Sequence, residues 1–571
     1  MRSRFGNTRS DPSDEDIDRI GAVKTDLDVG SAGTHQVVNQ PPPLVDYNLF
    51  STDGALVEAV EREGAGWAKP RLKEFGRLTG IKEAIRWGFQ ANENPPALRT
   101  HDRFGHRIDE VEFHPAWHSL MRLSIEHGLS SLPWTEPKQG AHVARAALML
   151  LASENEAGHT CPVSMTYAAV PALRKQPELA REWEPRLHTA HYDSRARPVA
   201  EKSGALMGMA MTEKQGGSDV RANTTLAEPD GNGAYVLTGH KWFCSAPMCD
   251  AFLVLAQTLG GLTCFLLPRW TPDGERNGFR IQRLKSKLGN RSNASSEVEF
   301  DQAWAQRVGE EGRGVATIID MVQHTRLDCV IGSASLMRQA LVQAIHHARH
   351  RAAFGRFLVD QPLMQNVLAD LALESEAATI LMMRLARAFD ARETDAGERG
   401  IARLGTAVAK YWVAKRGPAQ VNEALECLGG NGYVEESVLP RLYREAPLNS
   451  IWEGSGNVIC LDILRAMDKE PEALTSLLSE IRLARGSDRR FDAYTKILEK
   501  DLREPAVEVE ARLLAERLAL AFEASLLIRH SIPEVADAFC AARLGDEGGR
   551  AFGTLSPSTN FEAILNRAFA S

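Results

Sequence analysis

The chain has few cysteines and no long apolar run. Its 8 cysteines are scattered over 571 residues and form no CxxC pair, which excludes a disulfide framework and a zinc-ribbon site and fits a reducing compartment. The start of the chain holds no apolar block typical of a signal peptide. No later stretch approaches the roughly 20 apolar residues of a membrane span. The sequence therefore predicts a cytoplasmic protein that does not cross a membrane.

Common catalytic motifs are also missing. There is no GxGxxG opening a helix after a strand, no Gly-Lys dipeptide, no HExxH and no GxSxG. These absences exclude a Rossmann dinucleotide site, a Walker A loop, a zinc protease and a serine esterase, and no metal site is expected. The 67 Lys and Arg stand against 75 Asp and Glu, a net charge of −8. No overall basic excess indicates a nucleic-acid binder, although a local basic face remains compatible with this total.

The apolar pattern changes period along the chain. With 43% apolar and 25% charged residues, the composition is that of a soluble globular protein. Apolar residues three and four apart predict helices, whereas short β-branched and aromatic runs between turn clusters predict an antiparallel β-domain. The predicted class is α+β, mostly helical. Its parts are a polar tail (1–34), an N-terminal helical domain (35–206), a middle β-domain (207–312), a helical bundle (313–467) and a further helical segment (468–571), either a separate domain or an extension of the bundle.

The segment MTEKQGGSDV, residues 211–220, lies where the helical region gives way to strands. Gly216 and Gly217 allow a ligand to approach the backbone closely, and Thr212 and Ser218 offer hydroxyl groups on either side. The alternative is a plain turn.

Two further segments combine aromatic and polar side chains. KWFCS, residues 241–245, ends a strand and suits a flat heteroaromatic ring that needs a stacking face and one hydrogen bond; the alternative is a core aromatic. IWEGSGN, residues 451–457, places Glu453 between a bulky aromatic and a glycine, where desolvation would raise the pKa of the acid and make it a stronger base. The alternative is a loop in which Ser455 or Asn457 caps the next helix.

In this order, the three segments resemble the flavin site of the acyl-CoA dehydrogenase superfamily. KLGNRSNASSEVEF (287–300), RAAFG (351–355) and LGGNGY (428–433) match further family positions. NQPPPL (39–44), DGALVEAVEREGAGW (53–67) and LPRLYRE (439–445) resemble one branch, the AidB-like proteins of the adaptive response to DNA alkylation. The resemblance runs from about residue 35 to residue 467. It implies an N-terminal helical domain, a middle β-domain and a C-terminal bundle, which agrees with the periodicity.

The resemblance implies FAD as cofactor, held between the β-domain and the bundle. Phe243 takes the family's tryptophan position beside the isoalloxazine, and Ser245 takes that of the threonine that bonds the reactive nitrogen. The residues implied to contact FAD within the three segments are Met211, Thr212, Gly216, Gly217, Ser218, Phe243, Cys244, Ser245, Ile451, Trp452, Gly454, Ser455 and Asn457.

Two more elements are implied to reach the FAD of a neighbouring subunit. Arg351 and Phe354 match the family's RxxFG element, and Gly429 and Gly430 match the second. Both imply a homotetramer built as a dimer of dimers. The alternative for Arg351 is an exposed charge at the end of a helix.

The resemblance assigns Glu453 as the catalytic base. Some relatives place their base on the first bundle helix, where this chain has Thr325, which cannot remove a proton at neutral pH. The Glu453 carboxylate would take the α-proton of an acyl-CoA thioester as hydride leaves the β-carbon for the flavin.

The AidB-like branch implies binding of duplex DNA through the last helical segment and protection against alkylation damage, with weak acyl-CoA dehydrogenase activity. Residues 471–571 contain 13 Arg and Lys against 16 Asp and Glu. The candidate DNA contacts are the clustered cations Arg482, Arg485, Arg489, Arg490 and Lys496. A basic face and an ordinary solvated helix surface both fit this pattern. The alternative function is a metabolic acyl-CoA dehydrogenase, for example for short branched-chain substrates, without a DNA role.

Overall fold

The computed structural model describes residues 34–504 and 507–569. Most of the predicted tail therefore lies outside the described residues. The N-terminal region is largely helical, as predicted. Its helices are α1 (Gly54–Arg62), α2 (Lys69–Gly80), α3 (Lys82–Glu93), α4 (Pro115–Glu126), α5 (Leu132–Thr135), α6 (Ala141–Asn155), α7 (Thr160–Leu173) and α8 (Pro177–Leu187). Nearly every residue of α6 and α7 is buried, including the charged Arg145 and Glu154, so these two helices form the centre of the region.

A β-hairpin interrupts this region, and the prediction of helix throughout is wrong there. Strands β1 (Ala97–His101) and β2 (Arg107–Glu112) pair antiparallel. Exposure alternates along β1, which is the period of a strand. In the connecting turn Gly105 has a positive φ, and the Asp102 carboxylate accepts the backbone N–H groups of Phe104 and His106. This turn chemistry stabilises the hairpin locally.

Seven strands form the middle domain. They are β3 (Met207–Ala210), β4 (Leu226–Pro229), β5 (Tyr235–Ser245), β6 (Ala251–Thr258), β7 (Gly261–Pro268), β8 (Phe279–Leu284) and β9 (Ser295–Val308). Pairing runs β6–β7–β9–β5–β4 and back to β6 in a closed ring, with β3 beside β6 and β8 beside β9. Most pairs are antiparallel, as predicted, but β3 and β4 run parallel to β6. Closure of the ring gives each of its five strands a partner on both sides, and β3 and β8 keep a free edge.

The bundle is built on one long helix, α9 (Gly314–His350). It continues through the hairpin β10 (Ala352–Ala353) and β11 (Arg356–Phe357) into α10 (Pro362–Ala391), α11 (Ala396–Gly400), α12 (Thr406–Cys427), α13 (Leu439–Glu445) and α14 (Gly456–Lys469). A short 3₁₀ turn, Gly429–Gly432, follows α12 and carries the predicted glycine element.

The last segment extends the bundle and shares its core. Its helices are α15 (Pro471–Ile481), α16 (Arg489–Asp501), α17 (Ala511–His530), α18 (Pro533–Phe539) and α19 (Phe561–Ala568). Buried ion pairs join it to α10: Arg384 contacts Glu480, Arg543 contacts Glu374, and Arg567 contacts Glu376. The extra C-terminal helices therefore pack directly against the bundle. Over the ranges described, no helix is long and apolar enough to cross a membrane.

Candidate active site

Glu453 lies in the loop between α13 and α14, in an unusual backbone conformation. Its φ is 58°, in the left-handed region that side chains other than glycine rarely adopt. The next residue, Gly454, also has a positive φ, and a Cβ there would come within 2.9 Å of Ile459. The backbone of the loop is therefore strained at Glu453, and contacts with the surrounding residues must stabilise it.

Two cations from neighbouring helices bind the carbonyls of this loop. Lys410 Nζ of α12 donates to the Trp452 carbonyl at 2.9 Å and also to the Gly454 carbonyl. Arg326 Nε of α9 donates to the Glu453 carbonyl at 3.0 Å. Three consecutive carbonyls are thus hydrogen-bonded to cationic side chains.

The Glu453 carboxylate accepts a hydrogen bond from Thr325. Thr325 Oγ1 lies 2.8 Å from Glu453 Oε2. Burial raises the pKa of Glu453 above its ordinary value, while the Thr325 hydrogen bond and the charges of Arg326 and Lys410 oppose the rise. Thr325, which occupies the alternative base position, therefore donates a hydrogen bond to Glu453, the base that the resemblance implies.

Side chains from the β-domain and from α7 converge near this carboxylate. Burial raises the pKa of the Cys161 thiol to about 12. Lys287, Asn293 and Ser245 act to lower this pKa and Glu453 acts to raise it, so all four lie close enough to influence the thiol. Ser245, at the end of β5, and Glu453 thus both act on the Cys161 thiol of α7.

The other residues of the β5 segment point in alternate directions, as expected of a strand. Phe243 is 52% exposed, and the Lys285 ammonium lies 4.4 Å from the centre of its ring. Cys244 is fully buried in the sheet and leaves only its backbone for any contact.

The predicted glycine turn is tied to the same strand. Trp242 N–H donates to the Thr212 carbonyl at 2.8 Å, and buried Lys241 pairs with Glu213 at 2.7 Å. A Cβ on Gly217 would lie 2.4 Å from Thr212 Oγ1, so a larger residue there would require the Thr212 side chain to move. Met211 and Gly216 are partly buried, and Ser218 is exposed. Sequence reasoning missed the Lys241–Glu213 pair, although both residues lie inside the quoted segments.

The remaining loop residues lie at the start of α14. Ile451 is 62% exposed, and Trp452 Nε1 donates to Asn449 at 3.0 Å. Ser455 is the N-terminal cap position of α14, but its side chain makes no capping hydrogen bond. Asn457 Oδ1 accepts from Arg512 of α17 at 2.8 Å. The capping alternative for this loop is therefore wrong in its side-chain detail.

The two elements implied to reach a neighbouring subunit lie together. Arg351 donates to the Asn39 carbonyl at 2.6 Å, and the neighbouring Gln40 contacts Asn431 in the glycine turn. Phe354 is 99% exposed at the hairpin tip. Gly429 and Gly430 face open space. In the described part of the chain, no hydrogen bond joins this group to the Glu453 loop.

The predicted basic cluster is partly neutralised by acids. Arg482 and Arg485 share Glu499 at 2.8 and 2.7 Å, and Arg490 pairs with Asp488 and Asp537. Two cations on α16, Arg489 and Lys496, are exposed.

Comparisons with known proteins decide the family. Residues 39–194 match the family described as "Adaptive response protein AidB N-terminal domain". Residues 208–303 match the acyl-CoA dehydrogenase middle domain, and residues 312–467 match the acyl-CoA dehydrogenase C-terminal domain. The chain is 50% identical to the putative acyl-CoA dehydrogenase AidB of Escherichia coli, over 90% of this chain and 95% of that protein. The chain belongs to the acyl-CoA dehydrogenase family, in its AidB-like branch. The resemblance and the fold class drawn from the sequence are confirmed.

Solved structures agree with this assignment. Caenorhabditis elegans ACDH-11, solved in complex with C11-CoA, is 26% identical with a TM-score of 0.81, over 94% of this chain and 93% of that one. The apo-form of Bd2924 is 28% identical with a TM-score of 0.79, over 86% of this chain and 99% of that one.

This acyl-CoA dehydrogenase is an FAD-dependent oxidoreductase, and its residues fit a bound flavin. The Asn293 side chain is buried, and apart from the weakly bonding Cys161 thiol neither its Oδ1 nor its Nδ2 has a hydrogen-bond partner among the described residues. Buried amides are normally partnered, so a ligand near Ser245 suits it. Gly429 and Gly430, which face open space, and the exposed side chain of Phe243 also fit a bound flavin. Within the ranges described, no cluster of three or more His, Cys, Asp or Glu could hold a metal.

Proposed function

We propose that this protein introduces an α,β double bond into acyl-CoA thioesters, with Glu453 as the base. The observation that supports the proposal is the position of the Glu453 carboxylate: it is hydrogen-bonded to Thr325, with its pKa raised by burial and its backbone bound by two cations. The solved relative ACDH-11 was crystallised with C11-CoA, which supports a thioester of the same class here.

Each residue then has a defined task. The ionised Glu453 carboxylate takes the α-proton of the thioester, and its raised pKa makes it a stronger base than an exposed glutamate. Bound FAD supplies the acceptor for the hydride that leaves the β-carbon. Thr325 holds one oxygen of the carboxylate, so its orientation is set before the substrate binds. Phe243 and Ser245 are proposed to stack on and hydrogen-bond the flavin.

The test is Glu453→Gln, which preserves the shape of the side chain and removes the base. We expect the visible flavin spectrum to persist and turnover on a panel of acyl-CoA thioesters to fall by about 100- to 10,000-fold. Glu435→Gln is the matched control, because Glu435 is exposed and pairs with Arg444; the activity of this variant should be unchanged. Full activity in Glu453→Gln would refute the assignment.

A homotetramer built as a dimer of dimers is proposed from the hairpin β10–β11. Phe354 is almost fully exposed at its tip, which is unfavourable for an aromatic side chain unless a ligand or another subunit covers it. Sedimentation of the purified protein measures the assembly. The proposed location is the cytoplasm, because all eight cysteines are buried free thiols.

Binding of duplex DNA, with protection against alkylation damage, is the second candidate function. It is supported by the family description of an adaptive response protein and by the exposed cations Arg489 and Lys496 beside Arg482 and Arg485. The ion pairs with Glu499 reduce the charge of the last two, so we assign the DNA contact chiefly to α16.

Mobility-shift titrations of duplex DNA across salt concentrations test this candidate. Replacing both Arg489 and Lys496 with alanine should weaken binding and lower the slope of log affinity against log salt by about 2. Lys82→Ala, on an exposed N-terminal position, is the control. Absence of salt-sensitive binding by the unaltered protein would favour the metabolic alternative.

A further inference from the structure

The main chain around Glu453 is bound more extensively than the side chain itself. The carbonyls of residues 452, 453 and 454 accept from Lys410, Arg326 and again Lys410. Consecutive carbonyls of a surface loop ordinarily bond to water. Here two cationic side chains from different helices take the place of that water around Glu453, whose φ is positive although it is not a glycine.

Lys410 is a buried lysine whose ammonium binds the Glu453 loop. Its residue is 1% exposed, and both hydrogen bonds of its ammonium go to the loop. Burial lowers the pKa of Lys410, while the nearby Glu453 charge acts to raise it. A buried lysine that binds only main-chain carbonyls is unfavourable for folding.

Arg326 is itself held in place by the carboxylate of Asp462. Its guanidinium donates to Asp462 of α14 at 2.7 Å, and Asp462 also accepts from Arg403 at 3.0 Å. Because α9, α12 and α14 all meet at this loop, a movement of any of these three helices would shift Glu453.

We propose that Lys410 and Arg326 are positioning residues for proton abstraction, which hold Glu453 in its left-handed conformation and so direct its carboxylate at the substrate. This inference rests on Glu453 being the base. It assigns a role to Lys410, a helix residue for which the sequence offered no signal.

The charges that face the carboxylate predict how its titration responds. Arg326 and Lys410 favour its ionised form, whereas Asp328 disfavours it. Lys410→Met therefore removes both a support of the backbone and a favourable charge. Lys410→Arg retains the charge but cannot reproduce the two-carbonyl geometry of a single ammonium.

A 3-thia-acyl-CoA separates proton removal from oxidation. Sulfur replaces its β-carbon, so it can lose the α-proton but cannot release a hydride, and the resulting enolate gives a long-wavelength charge-transfer band beside oxidised flavin. The pH at half-maximal band intensity reports the base. In Lys410→Met we expect turnover to fall by about 100-fold, a weaker band and a midpoint at higher pH. In Lys410→Arg we expect a weaker band with the midpoint unchanged.

Two variants make the outcome decisive. Lys202→Met removes another buried ammonium, which pairs with Asp250 of the β-domain at 2.6 Å. This variant should lower the stability of the protein without moving the pH midpoint of the charge-transfer band. If Lys410→Met differs from it only in stability, the positioning role is overturned. Glu453→Gln must abolish the band; if the band persists there, the proposed base is wrong, and that failure is distinct from failure of the positioning role.

Discussion

Glu453 combines a strained backbone with a carboxylate that is partly removed from water. Each feature alone is unfavourable. Thr325, Arg326 and Lys410 stabilise the arrangement from two helices. As the proposed base, Glu453 is preorganised in this way and does not need to reorient when the substrate arrives.

The raised pKa of Glu453 predicts an acid limb in the pH profile. The base must be ionised, so kcat/KM should fall as the pH drops through the raised pKa, at higher pH than for an ordinary glutamate, whose pKa is about 4.3. Thr325→Val removes a hydrogen bond to the ionised form and should move the limb upward by about one pH unit.

The measurement is kcat/KM against pH for both proteins, with Thr394→Val as a control on an exposed threonine. A limb that moves to lower pH in Thr325→Val would contradict the assigned hydrogen bond.

At the scale of elements, one buried ion pair joins the three helices behind the site. Asp328 of α9 accepts from Arg145 of α6, with Nη2 at 2.9 Å, and from Ser164 of α7 at 2.6 Å. The Arg145 guanidinium also lies 3.9 Å from the centre of the Tyr167 ring. Both charged side chains are almost inaccessible to solvent, so each depends on the other.

Asp328→Ala should destabilise the protein by about 3–5 kcal/mol, because it leaves the Arg145 charge buried without its partner. Denaturant unfolding measures the change. Glu74→Ala breaks the exposed pair with Arg77 on α2 and should change the free energy of unfolding by less than about 1 kcal/mol. Equal effects of the two substitutions would show that the buried pair has no special role.

At the scale of the whole molecule, the C-terminal helices complete the core of the bundle. Buried acids of α10 face arginines from beyond residue 467: Asp370 and Glu374 pair with Arg543, and Glu376 pairs with Arg567. The segment therefore has a structural role whether or not it binds DNA.

Ending the chain after residue 467 should prevent stable folding, because these carboxylates would lose their partners and apolar core would face water. Thermal unfolding and solubility measure the effect. The reverse result, a truncated protein with an unchanged midpoint of unfolding, would mean that the segment is an independent domain.

Local sequence patterns determined much of this protein. Apolar spacing predicted the long helices and the β-domain because these elements follow from the period of buried side chains. The segments around Gly217, Ser245 and Glu453 stood out by their mixture of glycine, aromatic and polar residues, but it was the resemblance to the acyl-CoA dehydrogenase family that assigned them to a flavin site. The hairpin β1–β2 escaped because its strands are short and lie among helices.

Only the tertiary structure decided which charges support the base. Lys410 is 43 residues from Glu453 in the chain, and nothing around it distinguishes it from a solvated helix lysine. The pairing of Arg482 and Arg485 with Glu499, and the shared core of the C-terminal helices, were equally hidden. Burial and ion pairing depend on which distant segments meet, whereas periodicity and motifs depend on neighbours along the chain.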